Sequence, residues 1–265
     1  MEGLAAQRGG HLPVSGRRRA RTPGALVPRA CAGIGEWAQP MTRDVERTLI
    51  VFAKVPRPGR VKTRLAAAIG DVEAASLYGI MGRRVLDGVR GGPYRLIVYI
   101  DPANELAAAR EWLGAGDVGF RPQEGDDLGE RLAEAFRREF QRARQVCAIG
   151  TDAPAVDRRV VERAFDELSA NDLVLGPALD GGYYLIGATA CWPELFRDVP
   201  WSTEGVMTAT LARARALQLR TATLEPLPDI DTVEDLERAD ALPSPQPRTR
   251  AGNSYGCQRP GVTGT

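Results

Sequence analysis

Short apolar runs rich in β-branched residues alternate along this chain with amphipathic stretches, and that alternation limits the available folds more than any other feature. Residues 48–53, 95–100, 118–121, 146–150, 173–176 and 183–187 read as strands. Helices are expected over 62–89 with a break near Gly70, then over 104–113, 128–144, 157–169, 204–217 and 232–241. Asp157 and Asp231 stand where an N-cap would accept from unpaired N–H groups. Strand alternating with helix implies βαβ units, and hence a mainly parallel sheet covered on both faces. The link through Gly181 and Gly182 is too short for a crossover, so part of the sheet is expected to be antiparallel.

The 265 residues, 43% hydrophobic and 26% charged, suit one globular domain of this class. Formal charge is +1, yet residues 1–40 carry six arginines against two glutamates and residues 243–265 carry three arginines and no acid, which leaves 41–242 at −6. An acidic body argues against a nucleic-acid surface. The expected organisation is a disordered leader over 1–44, a catalytic domain over 45–242 and a disordered tail over 243–265. Met41 is read as a candidate true start, the alternative being a basic arm around Arg17, Arg18, Arg19 and Arg21 that binds an acidic partner. No apolar segment follows that arginine cluster, so it does not read as a signal peptide. No run of about 18 apolar residues occurs, so no membrane span is expected. Cys31, Cys147, Cys191 and Cys257 lack metal-ligand spacing, and a reducing cytoplasm with buried or inert thiols is the reading. The one histidine, His11, falls in the leader, which excludes serine–histidine chemistry and His-based zinc sites from the body.

In α/β sheets ligands sit at the carboxyl ends of strands. After the first strand, residues 54–64 carry Lys54, Pro58, Gly59, Lys62, Thr63 and Arg64, a basic loop entering a helix, with the composition of a phosphate grip. It lacks the glycine spacing of a Walker P-loop. After the fourth strand, Asp152 in Gly150-Thr-Asp-Ala-Pro154 is either a hard metal ligand or a helix cap. Asp180, Gly181 and Gly182 form either a plain hairpin turn or a turn that lets substrate approach the backbone, with Tyr183 placed to stack on a base or sugar. Gln123, Gly125 and Arg131 form a further polar loop. Asp229 and Asp231 lie on one side of an extended segment, Asp229 as a ligand and Asp231 as a ligand or cap. Trp201, Ser202 and Thr203 either close over an acceptor or cap the next helix.

Together these loops are specific. Phe-Ala-Lys-x-Pro-x-Pro-Gly-x-Val-Lys-Thr-Arg-Leu over 52–65, Gln-x-Gly-x-x-Leu-Gly-x-Arg over 123–131, Gly-Thr-Asp-x-Pro over 150–154, Gly-Pro-x-x-Asp-Gly-Gly-Tyr-Tyr-x-Ile-Gly over 176–187 and Asp-x-Asp-Thr-x-x-Asp-Leu over 229–236 resemble the GT-A transferases encoded beside radical-SAM and selenium-related genes. The chain is more distantly similar to phospholactate and molybdenum-cofactor guanylyltransferases. The resemblance implies a GT-A, Rossmann-like nucleotide-diphospho-sugar transferase domain, with a mixed sheet of about seven strands flanked by helices. It further implies a nucleotide over the first loop and Mg or Mn on Asp152. The usual Asp-x-Asp is here Thr151-Asp152-Ala153, so Asp229 or Asp231 is expected to supply a second ligand.

Three functions follow as expectations. The first is a glycosyltransferase: Lys54, Lys62 and Arg64 hold the diphosphate, Asp152 holds the metal, and Asp180 orients the sugar or acts as base. The second is a nucleotidyltransferase releasing pyrophosphate, against which stands the missing Ala-Gly-x-Ser loop of guanylyltransferases. The third is a non-catalytic nucleotide-binding scaffold. Partners are a nucleotide or nucleotide-sugar donor and a small-molecule acceptor, without nucleic acid; a homodimer is left open.

Overall fold

In the computed structural model, residues 46–114 and 116–240 are described. The expected leader and tail, with Met41, His11, Cys31 and Cys257, lie outside the described residues. Seven strands form one sheet: β1 (Arg47–Lys54), β2 (Arg95–Asp101), β3 (Val118–Pro122), β4 (Gln145–Ile149), β5 (Leu173–Pro177), β6 (Tyr183–Ala188) and β7 (Thr221–Thr223), in the order β3-β2-β1-β4-β6-β5-β7. β6 is antiparallel to both β4 and β5, while every other pairing is parallel. The mixed α/β sheet is the one expected from the alternation of elements.

Among the described residues seven α-helices accompany the sheet: α1 (Thr63–Ile69), α2 (Asp71–Val89), α3 (Leu106–Leu113), α4 (Leu128–Glu139), α5 (Arg158–Glu167), α6 (Val206–Ala216) and α7 (Val233–Asp240). α1 and α2 meet at Gly70, where the break is expected. Asp157 caps α5 as anticipated, accepting from the N–H groups of Arg159 and Val160. Alternate side chains of β1 and β2 go to opposite faces. Leu49, Val51, Leu96, Val98 and Ile100 pack with Val85, Leu113 and Phe165 on one side, and Ile50, Ile97 and Tyr99 pack with Leu132, Phe136 and Ala214 on the other. Burial on both faces explains why these parallel strands read as nearly continuous apolar runs.

Two features depart from the sequence reading. β7 is an added parallel strand beside β5; three residues, Thr-Ala-Thr, are too few to show a period. α4 stops at Glu139, short of the expected residue 144, and that glutamate turns inward, only 1% exposed. It accepts from the Tyr99 hydroxyl at 2.7 Å, pairs with Arg121 at 3.1 Å and bonds Arg95, so the buried carboxylate is paired and hydrogen-bonded. Cys147 is buried in β4, where desolvation pushes its thiol pKa up, in keeping with an inert thiol. Among the described residues no helix is long and apolar enough to cross a membrane.

Candidate active site

Because six of the seven strands run one way, their carboxyl ends share one edge of the sheet, and β6 begins at that same edge with Tyr183. A cleft of about 1440 Å³ opens there, lined by residues from all six loops singled out above.

One wall is basic. Lys54, at the end of β1, is 54% exposed and lies 3.8 Å from Asp101. Arg60 and Arg64 line the cleft, and no ion pair engages either among the described residues. Arg60 was not among the expected grip residues, although it sits in the same loop. Lys62 differs from the expectation. Its side chain is 3% exposed, and its ammonium lies 2.5 Å from both Asp152 Oδ1 and Asp231 Oδ1, so it is not a free cation awaiting phosphate. Burial by itself would lower the pKa of this ammonium, but the two carboxylates outweigh burial and the net shift is upward. Thr63 opens α1 and lines the cleft, whereas Pro58 and Gly59 shape the turn behind it and line none of it.

The loop carrying Gln123, Gly125 and Arg131 has a bracing role. Gln123 lines the cleft, but its side-chain amide donates to the carbonyls of Ala53 at 3.3 Å and Tyr99 at 3.0 Å, tying the ends of β1 and β2. Arg131 donates to the Gly125 carbonyl at 2.9 Å and pairs with Asp101 at 3.1 Å. Gly125 lies outside the lining; with φ +134° and a would-be Cβ 2.8 Å from the Arg131 nitrogen, it allows the loop to close on α4. Tyr78 of α2 is a cleft residue with no signal in the sequence beyond its helix face. Its hydroxyl accepts from the Lys54 N–H at 3.0 Å and bonds the Thr151 hydroxyl at 2.9 Å, joining the ends of β1 and β4.

Another part of the lining is acidic. Oxygens of Asp180, Asp229 and Asp231 all lie within 4.8 Å of one another. The segment carrying Asp229 and Asp231 is docked by the Ile230 N–H, which donates to the Asp152 carbonyl at 3.0 Å, and by a bridge from Leu227 to Ala178. Asp152 itself is not one of the three: its carboxylate faces Lys62, and it does not cap α5. Asp231 is not a cap either. Thr232 and Asp235 cap α7 reciprocally, Asp235 Oδ2 accepting from the Asp231 and Thr232 N–H groups and the Thr232 hydroxyl from the Asp235 N–H. Three carboxylates are an oxygen-only donor set, suited to a hard divalent cation such as Mg or Mn.

Burial, and then the charge of Asp180, push Asp229 up to about 6. A carboxyl whose folded-state pKa is raised favours its protonated form in the fold, so metal-free stability should fall as pH rises from about 4, the unfolded value, to about 6. Melting temperature measured across that range in a chelator should show the decline, and Asp229→Asn should flatten it.

Two aromatic rings also line the cleft. Tyr183 and Trp201 meet edge to face with centroids 6.4 Å apart. Ser202 lines the cleft at φ 64°. Thr203 donates to the Pro200 carbonyl at 2.7 Å and accepts from the Gly205 N–H at 3.2 Å, so its hydroxyl clamps the turn before α6. Gly182 donates its N–H to Asp180 Oδ1 at 2.8 Å, which orients that carboxylate, and Gly181 packs against the backbone of Glu204.

The family model described as "Uncharacterized protein conserved in bacteria (DUF2064)" matches residues 88–203, which include Asp152 and the Asp180 turn. A crystallised candidate nucleotide-diphospho-sugar transferase from Desulfovibrio desulfuricans G20 is 34% identical, with 74% of this chain and 86% of that one covered and a TM-score of 0.70. The chain belongs to the nucleotide-diphospho-sugar transferase superfamily. Two more remote members of this fold are Rv0371c from Mycobacterium tuberculosis H37Rv (18% identity, 74% and 97% covered, TM-score 0.50) and 4-diphosphocytidyl-2C-methyl-D-erythritol synthase from Anaerococcus prevotii DSM 20548 (12%, 74% and 97%, 0.51). No curated protein sequence matches. In this superfamily member, then, the basic and acidic walls are carried by the loops that follow β1, β5 and β7.

Proposed function

We propose that this protein is a metal-dependent transferase that moves a sugar from a nucleoside diphosphate sugar to a small acceptor, as a relative of the transferases encoded beside radical-SAM and selenium-related genes. One observation carries the reading: Lys54, two arginines with no ion pair among the described residues and a three-carboxylate cluster line a single cleft at the carboxyl ends of the strands. Lys54, Arg60 and Arg64 would bind the diphosphate. Asp180, Asp229 and Asp231 would hold Mg or Mn, which when bound supplies positive charge to a departing diphosphate. The Gly182 N–H fixes Asp180, so that carboxylate would present a set edge to a sugar or acceptor hydroxyl. Tyr183 and Trp201, one ring edge against the other's face, would provide apolar contact for the acceptor end.

Nucleotidyl transfer is the second reading, favoured by the number of cations: with Lys62 added, the loop after β1 brings four basic side chains to the cleft, enough for a triphosphate. Incubating the purified protein and Mg with labelled nucleoside triphosphates, and separately with nucleotide sugars, identifies the donor. Consumption of a nucleotide sugar with release of nucleoside diphosphate supports sugar transfer. Pyrophosphate release in the presence of a phosphorylated acceptor would replace it with the second reading.

A further inference from the structure

We propose that Lys62 is an exchangeable resident cation: its ammonium occupies the place between Asp152 and Asp231 until a divalent cation enters the adjoining carboxylates, and it then leaves Asp231 for the donor's phosphates. The inference rests on the transferase reading above and adds a coupling between its metal and its donor. Lys62 alone of the basic loop is buried, and both its contacts are to carboxylates at 2.5 Å. Asp231 is common to two groups, the Lys62 pair and the cluster with Asp180 and Asp229. An ammonium and a divalent cation sharing that carboxylate repel each other, and their repulsion is poorly screened at a partly buried site. Each therefore weakens the hold of the other on Asp231.

A destination for the released ammonium is near in sequence. Arg60 and Arg64 flank Lys62 two residues away on either side, so a diphosphate held by those arginines arrives beside the same turn. Lys62 also holds left-handed backbone angles, φ 50° and ψ 45°, which a non-glycine residue adopts at a cost that its two ion pairs can offset. Loosening the pair with Asp231 removes part of what holds that conformation. By linkage, the cation then raises affinity for the phosphates, and the phosphates raise affinity for the cation by the same factor.

The test uses Mn²⁺ alone with the full chain, counting free ion by its electron paramagnetic resonance signal. Lys62→Met keeps an unbranched side chain and removes the charge. It should bind Mn²⁺ about tenfold more tightly than the native chain without any nucleotide, and Mn²⁺ should raise its melting temperature more than it raises that of the native protein. Equal or weaker binding by the variant overturns the exchange, whatever donor the enzyme proves to use. Absence of Mn²⁺ binding by both proteins overturns the exchange together with the metal in the proposed function, whereas a failed donor assay with intact Mn²⁺ binding strikes only the transferase reading. Should Lys62→Met not fold, the native chain with ¹⁵N-labelled lysine answers the question. The slowly exchanging ammonium resonance of buried Lys62, assigned by its loss in Lys62→Arg, should vanish or shift on saturation with Mg²⁺, and an unchanged resonance overturns the proposal.

Discussion

Asp180→Asn is expected to lower transfer by about three orders of magnitude while leaving the melting temperature nearly unchanged. Asparagine retains an oxygen that can accept from the Gly182 N–H, so the turn between β5 and β6 survives. What it removes is one of three negative charges gathered within 4.8 Å. Electrostatic stabilisation by a well-placed cation is worth several kcal/mol to a departing diphosphate, and about 4 kcal/mol corresponds to that loss of rate. Single-turnover consumption of donor at saturating Mg, beside a thermal melt, gives both readouts. Asp152→Asn is the decisive control, because the resemblance implies a metal on Asp152 whereas the proposed ligands are the other three. Its carboxylate faces Lys62 instead of the cluster, so its loss should cost about tenfold or less in turnover. If the two variants reversed this order, the metal would belong on Asp152.

The contrast between these two aspartates shows where reading a sequence stops. Strand ends mark the cleft because burial on both faces leaves an apolar signature along 49–53 and 96–100, and every loop selected on that basis contributes to the lining. Which charges meet within the cleft is another matter. Lys62, Arg60 and Arg64 are alike as letters in one loop, yet only Lys62 turns inward, toward Asp231, which is distant in sequence and brought close by the docking of Ile230 on the Asp152 carbonyl. Asp180 likewise meets Asp229 and Asp231 only because β7 lies beside β5, and β7 itself is too short to be seen. Glu139 fails for the same reason. On an amphipathic helix a glutamate reads as a solvated face, and its inward turn depends on Tyr99, Arg95 and Arg121 from β2 and β3. Periodicity carries local burial, whereas pairing is a property of the assembled sheet.

Gly181→Ala should destabilise the protein by about 2–5 kcal/mol and disable the site with it. From sequence, two glycines after Asp180 suggest a turn opened for substrate. In the structure the nearer need is internal: Gly181 has φ +89°, and a Cβ placed there would lie 2.4 Å from the Glu204 carbonyl oxygen and 2.6 Å from its Cα. Both obstacles are backbone, which cannot rotate aside as a flexible side chain can. The Gly181 carbonyl also accepts from the Met207 N–H at 2.9 Å, so the same contact anchors the first turn of α6. Left-handed backbone costs alanine on the order of 1–2 kcal/mol, and relieving the overlap adds about 1–3 kcal/mol more, since Glu204 can move only by carrying the 201–205 turn with it. That turn bears Trp201, Ser202 and Thr203, while the Asp180 carboxylate sits one residue before the strained position. Urea unfolding should therefore show a lower midpoint, and donor turnover measured well below that midpoint should still be reduced. Gly182→Ala provides the comparison. Its Cβ would meet only the Asp180 carboxylate, at 3.1 Å, so it should cost much less stability. A Gly181→Ala protein as stable as the native one would mean that Glu204 is not held against this turn, and the acceptor wall would lose its anchor to the acidic one.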